Sequence, residues 1–421
     1  MNITSKIVAL SSAVAFALQI ALALLMLRYF SPEEVGVFLV ISQIGFFWTT
    51  LALAQTPLRL LANHGASVFD DVRHAWVSSL QRFVWLSPVA ALAVWWSGLS
   101  FVNALLWALF LSLCQLTWML AQSMRLRMEG ALAQVGVRVL PPLMALLVAT
   151  AAIFMQISGI GLLAAALLGY AVGAAWLLPS LLAYWQIKFD NVSTKPDEVA
   201  LSPALEDPSH VAIAPVTGDN RSATLRMAHT LADALLATAI VVVWQRMYGA
   251  QETGWMAATL RVMGFVPAVV HMAWAQVILA QPQHARTNHL WVVGLGGFAS
   301  VALLGAGFAG ALEMGWLGEQ WHGLWSYLLP LVVWQGSSCL SAAFSHLPFQ
   351  AQSARRYSWV CIGLAVLQGV VMVTPILSQA VRLTPLHHIS WFAGISGFAL
   401  LTLSYWLQKT YPSPINCQRE P

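Results

Sequence analysis

The sequence predicts an all-α polytopic membrane protein, with twelve transmembrane helices in two pseudo-symmetric six-helix bundles. Three observations predict it. The 421 residues are 59% hydrophobic and only 9% charged, with a mean hydropathy of +0.72, whereas a soluble domain carries roughly 25% charged residues. Apolar stretches of about 20 residues, the length that crosses a bilayer, recur along the whole chain. There is also an internal echo. Arg28-Tyr29-Phe30-Ser31-Pro32-Glu33-Glu34-Val35-Gly36 matches Arg246-Met247-Tyr248-Gly249-Ala250-Gln251-Glu252-Thr253-Gly254. In both copies an Arg ends an apolar helix, an acidic residue stands two before a Gly, and a second apolar helix comes after it.

Taken in order, the expected spans are 7–27, 35–56, 76–97, 101–122, 136–157 and 160–184, then 223–245, 253–280, 290–311, 324–347, 357–378 and 386–407. The first resembles a signal peptide, with Lys6, an apolar run and Ala13-Val14-Ala15. Its apolar run continues to Leu27, long enough to span, and it occupies the place before RYFSPEEVG that the 223–245 helix occupies before RMYGAQETG. The repeat therefore requires it to be retained. The third span is interrupted near its start by Gln81 and Arg82. Pro88, Pro141, Pro142, Pro179, Pro267 and Pro330 fall inside spans, where neighbouring helices can re-satisfy the freed backbone groups.

Lys and Arg placement gives the orientation. With the N-terminus inside, the cytoplasmic segments hold fifteen basic residues and the outer loops three, Arg28, Arg246 and Arg382. That asymmetry obeys the positive-inside rule, with both termini cytoplasmic. It also accounts for the net charge of +4 without nucleic acid as a partner. The organisation is then a bundle over 1–185, a linker over 186–222, a second bundle over 223–408 and a tail over 409–421. The linker carries Pro196, Pro203, Pro208 and Pro215 among scattered acids, the composition of a flexible connector. Cys114, Cys339, Cys361 and Cys417 have no metal-ligand spacing and read as reduced thiols. The twenty tryptophans mostly fall near span ends, as in an interfacial belt.

A charge at the bilayer centre costs about 2.5–3.5 kcal/mol on insertion scales, so intramembrane charges are candidates for function. Asp233 lies roughly 14 Å along its helix, near the midplane of a core about 30 Å thick. Arg226, His229 and Asp233 are spaced by three and four and share a helix face. One reading is a polar stripe on a central cavity, with Asp233 taking a proton or a cation. The other is a structural pair between Asp233 and an arginine of another helix. Both place Asp233 toward the protein interior. Arg261 lies about 12 Å into its span from the outer side, and Arg82 about 9 Å into the third from the inner side. Arg82 can snorkel to its interface as readily as it can line a cavity, while the depth of Arg261 favours a cavity. Guanidinium suits phosphate or carboxylate. Ser5, Ser12 and Gln19 form a polar strip on the first span, and Gln43 and Gln55 add amides to the second. These either bond between helices or line one space. His271 and His346 read as packing residues. No nucleophile elbow, phosphate-cradling Gly-Lys loop or metal-spaced His/Glu pair is present, and no outer loop is long enough for a catalytic domain. The chain therefore reads as a non-enzyme without a cofactor.

RYFSPEEVGVFLVISQI, with a run ending in TPLRLLA after it, resembles the opening helix pair of polysaccharide flippases of the multidrug/oligosaccharidyl-lipid/polysaccharide (MOP) exporter superfamily. The second copy is similar to their seventh and eighth helices, with Asp233 at the acidic position. Gly254-Trp255-Met256-Ala257-Ala258-Thr259-Leu260-Arg261 fits a Gly-aromatic-x-Ala-Ala-x-x-Arg pattern. The resemblance is to the Wzx-type flippases of O-antigen or related repeat units. It implies two six-helix bundles forming a MATE-like V around a cavity, in the bacterial inner membrane. An undecaprenyl-diphosphate-linked oligosaccharide would cross by alternating access, driven by a proton or sodium gradient. Polysaccharide polymerase and glycosyltransferase machinery are the implied partners. The sequence departs from that family at Ala234, where an Arg often comes after the acid, and in the length of its linker.

Other readings compete. A cation-coupled drug antiporter of the same fold would carry more intramembrane carboxylates than Asp233. A major-facilitator transporter would carry a Gly-rich, Asp-Arg signature, which PLRLLANHGASVFDDVRHAW lacks. A non-transporting subunit of a polysaccharide assembly complex would be dispensable for lipid-linked glycan crossing.

Overall fold

Helix boundaries here are set by caps, prolines and single special residues more than by the ends of the apolar runs. In the computed structural model residues 3–54, 56–57, 60, 68–128, 130–157, 159–175, 220–271, 287–350, 353–377 and 383–411 are described. Within them the chain is helical, with no strand. The linker over 186–219, the tail beyond Tyr411 and the distal parts of the 160–184 and 253–280 spans lie outside the described residues.

The first helix, α1 (Ile3–Tyr29), ends two residues before a capped start. Ser31 has extended backbone (φ −71°, ψ 153°) and caps α2 (Pro32–Leu53). Its hydroxyl accepts from the Glu34 N–H at 3.3 Å, while a Glu34 carboxylate oxygen accepts from the Ser31 N–H at 2.9 Å. Pro32 at the first helical position has no N–H to leave orphaned, and such a capping box stabilises a helix by about 1 kcal/mol.

Helix α3 (Val68–Ser97) starts earlier than the expected 76, and Asp70 and Asp71 fall in its first turn. Carboxylates there face the partial positive charge of a helix N-terminus, which extends the helix into polar sequence. Helix α4 (Phe101–Met128) runs past its apolar window at the C-terminal end, and α5 (Gly130–Phe154) begins ahead of its own. After them comes α6 (Ile160–Ala175).

Helix α7 (Asn220–Met263) contains most of the second repeat copy. The turn expected over Arg246–Gly254 contracts to one residue. Gly249, at φ 84° and ψ −178°, is the single non-helical residue, so α7 has limbs over 220–248 and 250–263. A side chain is strained at that φ, and glycine is not. The second limb is also interrupted within its expected span. Pro267 would clash with the Met263 carbonyl four residues back, and the chain turns at Gly264 into the short α8 (Phe265–Val269).

Next come α9 (Thr287–Glu313), a 3-10 helix (Glu319–Leu324), α10 (Trp325–Phe344), the four-residue α11 (Leu347–Gln350), α12 (Ala354–Leu377) and α13 (Pro385–Thr410). Among the described residues nine helical stretches are long and apolar enough to cross a membrane. One of these, Met227–Val269, contains the Gly249 break, and Ala13–Tyr29 and Ile160–Ala175 are shorter apolar helices. Large apolar side chains stand exposed on their outer faces, as for Trp85 at 84%, Phe154 at 85% and Phe398 at 74%. In lipid such exposure carries no penalty.

Packing falls into two local groups. Helix α1 packs on α5 more than on its neighbour α2, and α6 lies on α4 and α5. In the second half α10 lies against α9 and α13, and α12 packs on α7 and α13. Among the described residues the most extensive pairing joins the halves, α2 with α7. At its tightest point the two repeat copies touch each other reciprocally. A Cβ added to Gly36 would strike Ala250, 2.9 Å from its carbonyl carbon and closer still to its oxygen. One added to Gly254 would strike Pro32, 2.6 Å from its carbonyl carbon and again closer to its oxygen. Pro32 and Ala250 are equivalent positions of the echo, as are Gly36 and Gly254. A contact in which each partner offers the same patch is the signature of a two-fold relation.

Candidate functional site

Because α1 leans on α5, a cleft opens between α1, α2 and α6. It is lined by Gln19, Leu22, Ala23 and Met26 of α1, Phe38 of α2, Leu162, Ala165 and Ala166 of α6, and Arg261 of α7, with about 30 Å³ of internal space. Gln19 and Arg261 are thus brought together, and they supply its polar and charged groups. Arg261 comes from the second half and reaches into a wall built by the first. Its guanidinium carbon stands 5.8 Å from the Phe38 ring centre, within cation–π range. Tyr170 of α6 lies within its electrostatic reach. No carboxylate among the described residues pairs with Arg261. One turn further along both helices, Phe16 and Phe265 meet edge to face at 5.1 Å, joining α1 to α8 beneath the two polar groups.

The other expected residues lie elsewhere. Arg82 does not reach the cleft. Its guanidinium donates to the Leu53 carbonyl at 3.3 Å and the Thr56 hydroxyl at 2.8 Å, and to Ser78 on its own helix. It ties α3 to the end of α2, where the last helical carbonyls need donors. Gln43 is half-buried on α2 and does not line the cleft. Phe38, more than a turn away, takes that place. Ser5 and Ser12 have side chains outside the described residues, and so does Arg226, although its backbone belongs to α7.

His229 and Asp233 form an ion-pair contact at 3.2 Å between successive turns of α7. The Asp233 side chain is 60% exposed against 21% for His229. Leu231, Leu235 and Met227 are exposed around it. Among the described residues the ion-pair partner of Asp233 is His229, one turn back. His229 also meets the Tyr357 ring edge-on at 5.9 Å. His271 shares a hydrogen bond with the Ser345 hydroxyl at 3.0 Å, and His346 is buried at 2% exposure.

Three contributors are not legible in the sequence: Phe38, the Phe16–Phe265 pair and Tyr170. In a chain with 18 phenylalanines, nothing local separates a cleft-facing ring from a lipid-facing one. Gly36 and Gly254 carry a signal, because the echo aligns them, but not the fact that they touch.

The fold has known counterparts among solved structures. The chain is similar to the lipid II flippase MurJ in an inward closed conformation, with a TM-score of 0.60 over 96% of this chain and 88% of that one, at 10% identity. It is also similar to an inward-facing multidrug resistance MATE family transporter of the MOP superfamily, with a TM-score of 0.49 over 97% of this chain and all of that one, at 11% identity. At these identities the likeness is one of fold. No protein-family model and no curated protein matches the sequence.

Proposed function

We propose that this protein is a flippase that carries an undecaprenyl-diphosphate-linked oligosaccharide, an O-antigen or exopolysaccharide repeat unit, across the bacterial inner membrane by alternating access. The observation that carries the reading is Arg261. It is a guanidinium in an apolar cleft, with no carboxylate among the described residues paired to it, contributed by one half of the chain and walled by the other. Arg261 is exposed within the cleft, where its permanent charge can meet a ligand anion, and a diphosphate attached to a hydrocarbon chain supplies both charge and apolar surface. Bidentate guanidinium–phosphate bonds are the natural contact. The fold shared with the lipid II flippase MurJ supports the reading.

In this proposal residues 1–185 and 223–408 are the two moving bundles, 186–222 tethers them in the cytoplasm, and both termini, including the 409–421 tail, lie inside. Gln19 hydrogen-bonds the head group beside Arg261. His229 and Asp233 form the ion-coupling group, fed by a proton or sodium gradient. An exposed carboxylate in a span is tolerated only where it meets water, so its face of α7 borders a hydrated volume. Polymerase and glycosyltransferase machinery of the same glycan are the partners.

The test is complementation in a strain lacking the gene. Lipid-linked repeat units accumulate on the inner leaflet, wild-type protein clears them, and Arg261→Ala at normal membrane abundance does not. Clearance by Arg261→Ala at the wild-type rate overturns the assignment of the head-group contact. Normal glycan export without the protein, in a strain with no second flippase, overturns the function. The exposed Asp233 favours one second reading, a cation-coupled antiporter of small molecules. Its mark is drug sensitivity on deletion with unchanged lipid-linked intermediates.

A further inference from the structure

We propose that the reciprocal crossing of α2 and the second limb of α7 is the outer gate of the transporter, and that it seals by backbone contact alone at its centre. The inference rests on the transport reading above and on its orientation, in which the ends of α2 and α7 at Ser31 and Gly249 face outward.

Four observations converge on this crossing. The first turns of two repeat-equivalent helices meet through Gly36 and Gly254, each seated on the backbone of the other copy. The fit is so close that each glycine α-hydrogen is directed at the carbonyl opposite, a weak C–H···O contact that recurs where helices approach this nearly. The small residues Ala250 and Gly254, four apart, are the arrangement that brings helix backbones together in lipid, and Gly36 meets them from α2.

Equivalent arginines of the two copies sit at the rim of the crossing, each against the opposite half. Arg28 of the first copy donates to the Trp316 carbonyl and lies 6.0 Å from the Trp316 ring centre, between α9 and the 3-10 helix. Arg246 of the second copy rests over Gly98, between α3 and α4, with Nη1 3.3 Å from where a Cβ would stand. Gln320 adds a bond to the Phe30 carbonyl at 3.4 Å, and the Trp255 indole donates to the Gln320 carbonyl at 2.9 Å.

The cleft with Gln19 and Arg261 lies inward of this seal. Two backbones pressed together leave no channel for water or for a head group. The seal is also two-state, since helices packed on glycine either interlock or separate. Opening toward the outside then requires the two first turns to part, and any side chain at either glycine holds them apart.

The experiment reads access and needs no substrate. A cysteine-free chain, with Cys114, Cys339, Cys361 and Cys417 replaced, receives one reporter in the cleft, Leu22→Cys. A membrane-impermeant maleimide is applied from the outer face. With both glycines present the reporter labels slowly. With Gly36→Leu or Gly254→Leu it labels about tenfold faster, since overpacking penalises the closed state. Gly363→Leu, at a glycine with nothing within 4 Å of an added Cβ, labels at the parent rate. The milder Gly36→Ala gives an intermediate rate and serves where the leucine variant fails to reach the membrane. A second readout places spin labels at Glu33→Cys and Gln251→Cys, exposed equivalents on the two first turns. Their separation is short in the parent and longer in Gly36→Ala. Unchanged labelling and unchanged separation in inserted variants overturn the gate. Failure of the flippase assay alone leaves these readouts intact, so the two proposals fall separately.

Discussion

The two copies of the repeat begin alike and are used differently. In the first, Ser31 breaks the helix with ordinary extended backbone, and its side chain caps α2. In the second the equivalent Gly249 breaks it with a left-handed φ and has no side chain to cap with. The acid two before each glycine shows the same divergence. Glu34 serves its own copy, closing the capping box and accepting from the Gly159 N–H between α5 and α6 at 2.8 Å. Glu252 turns outward from its helix to accept from the Tyr327 hydroxyl of α10, which in turn accepts from the Trp244 indole at 3.2 Å. Further along, Arg261 occupies the position that Gln43 holds in the first copy. One reaches the cleft and the other does not. The difference teaches that the duplicated frame fixes where helices start and cross, while each half has placed its polar groups for its own neighbours. The cleft is consequently lopsided, with a wall from the first copy and a charge from the second.

The largest test of that asymmetry is Arg261→Gln, which makes the second copy match the first at this position. It is expected to lower clearance of lipid-linked intermediates by about tenfold or more, the loss of a charged hydrogen-bond donor to phosphate, whereas Gln43→Ala leaves clearance near normal. Next is the break. Gly249→Ala forces a side chain into left-handed backbone and should cost about 1–2 kcal/mol in a detergent unfolding titration. Ser31→Gly, which keeps the break and removes the cap, costs only a few tenths, about 0.3 kcal/mol. If the two losses are equal, the breaks are equivalent after all.

The acids come third. Glu34→Gln and Glu252→Gln should each destabilise by about 1 kcal/mol, but only the latter should lose its effect when Tyr327→Phe is already present. A double-mutant cycle showing no coupling between positions 252 and 327 would contradict the observed bond. Last comes Arg82, where no effect on transport is expected. Arg82→Lys keeps a donor for the end of α2 and should change stability by about 0.5 kcal/mol or less with transport unchanged. A large transport defect would return Arg82 to the cavity.

Much of this architecture is legible in the amino acids alone. Hydropathy and the echo place the apolar helices, and the echo names the segment that organises them. The illegible part depends on contacts distant in sequence. Arg82 and Arg261 look alike as intramembrane charges. The first is consumed by the Leu53 carbonyl and Thr56 because α3 happens to lie against the end of α2. Asp233 has the spacing of an interior residue, yet its side chain is 60% exposed beside Met227, Leu231 and Leu235. The nine-residue segment Arg246–Gly254 resembles a loop because it is polar, and helix propensity carries through all of it except the one residue able to adopt φ 84°. Pro267 is visible in the sequence, but its consequence, a chain that turns at Gly264 just below Arg261, is not.

The paired glycines also bear on how such a chain can change over generations. A sequence that arose by joining two copies of one ancestor usually frees each copy to drift. Here a mutation at Gly36 is resisted by the carbonyl of Ala250, and one at Gly254 by that of Pro32. Each half is the other's selective environment. Relaxing the constraint requires the two helices to move apart together, so substitutions at these sites should be tolerated only in concert.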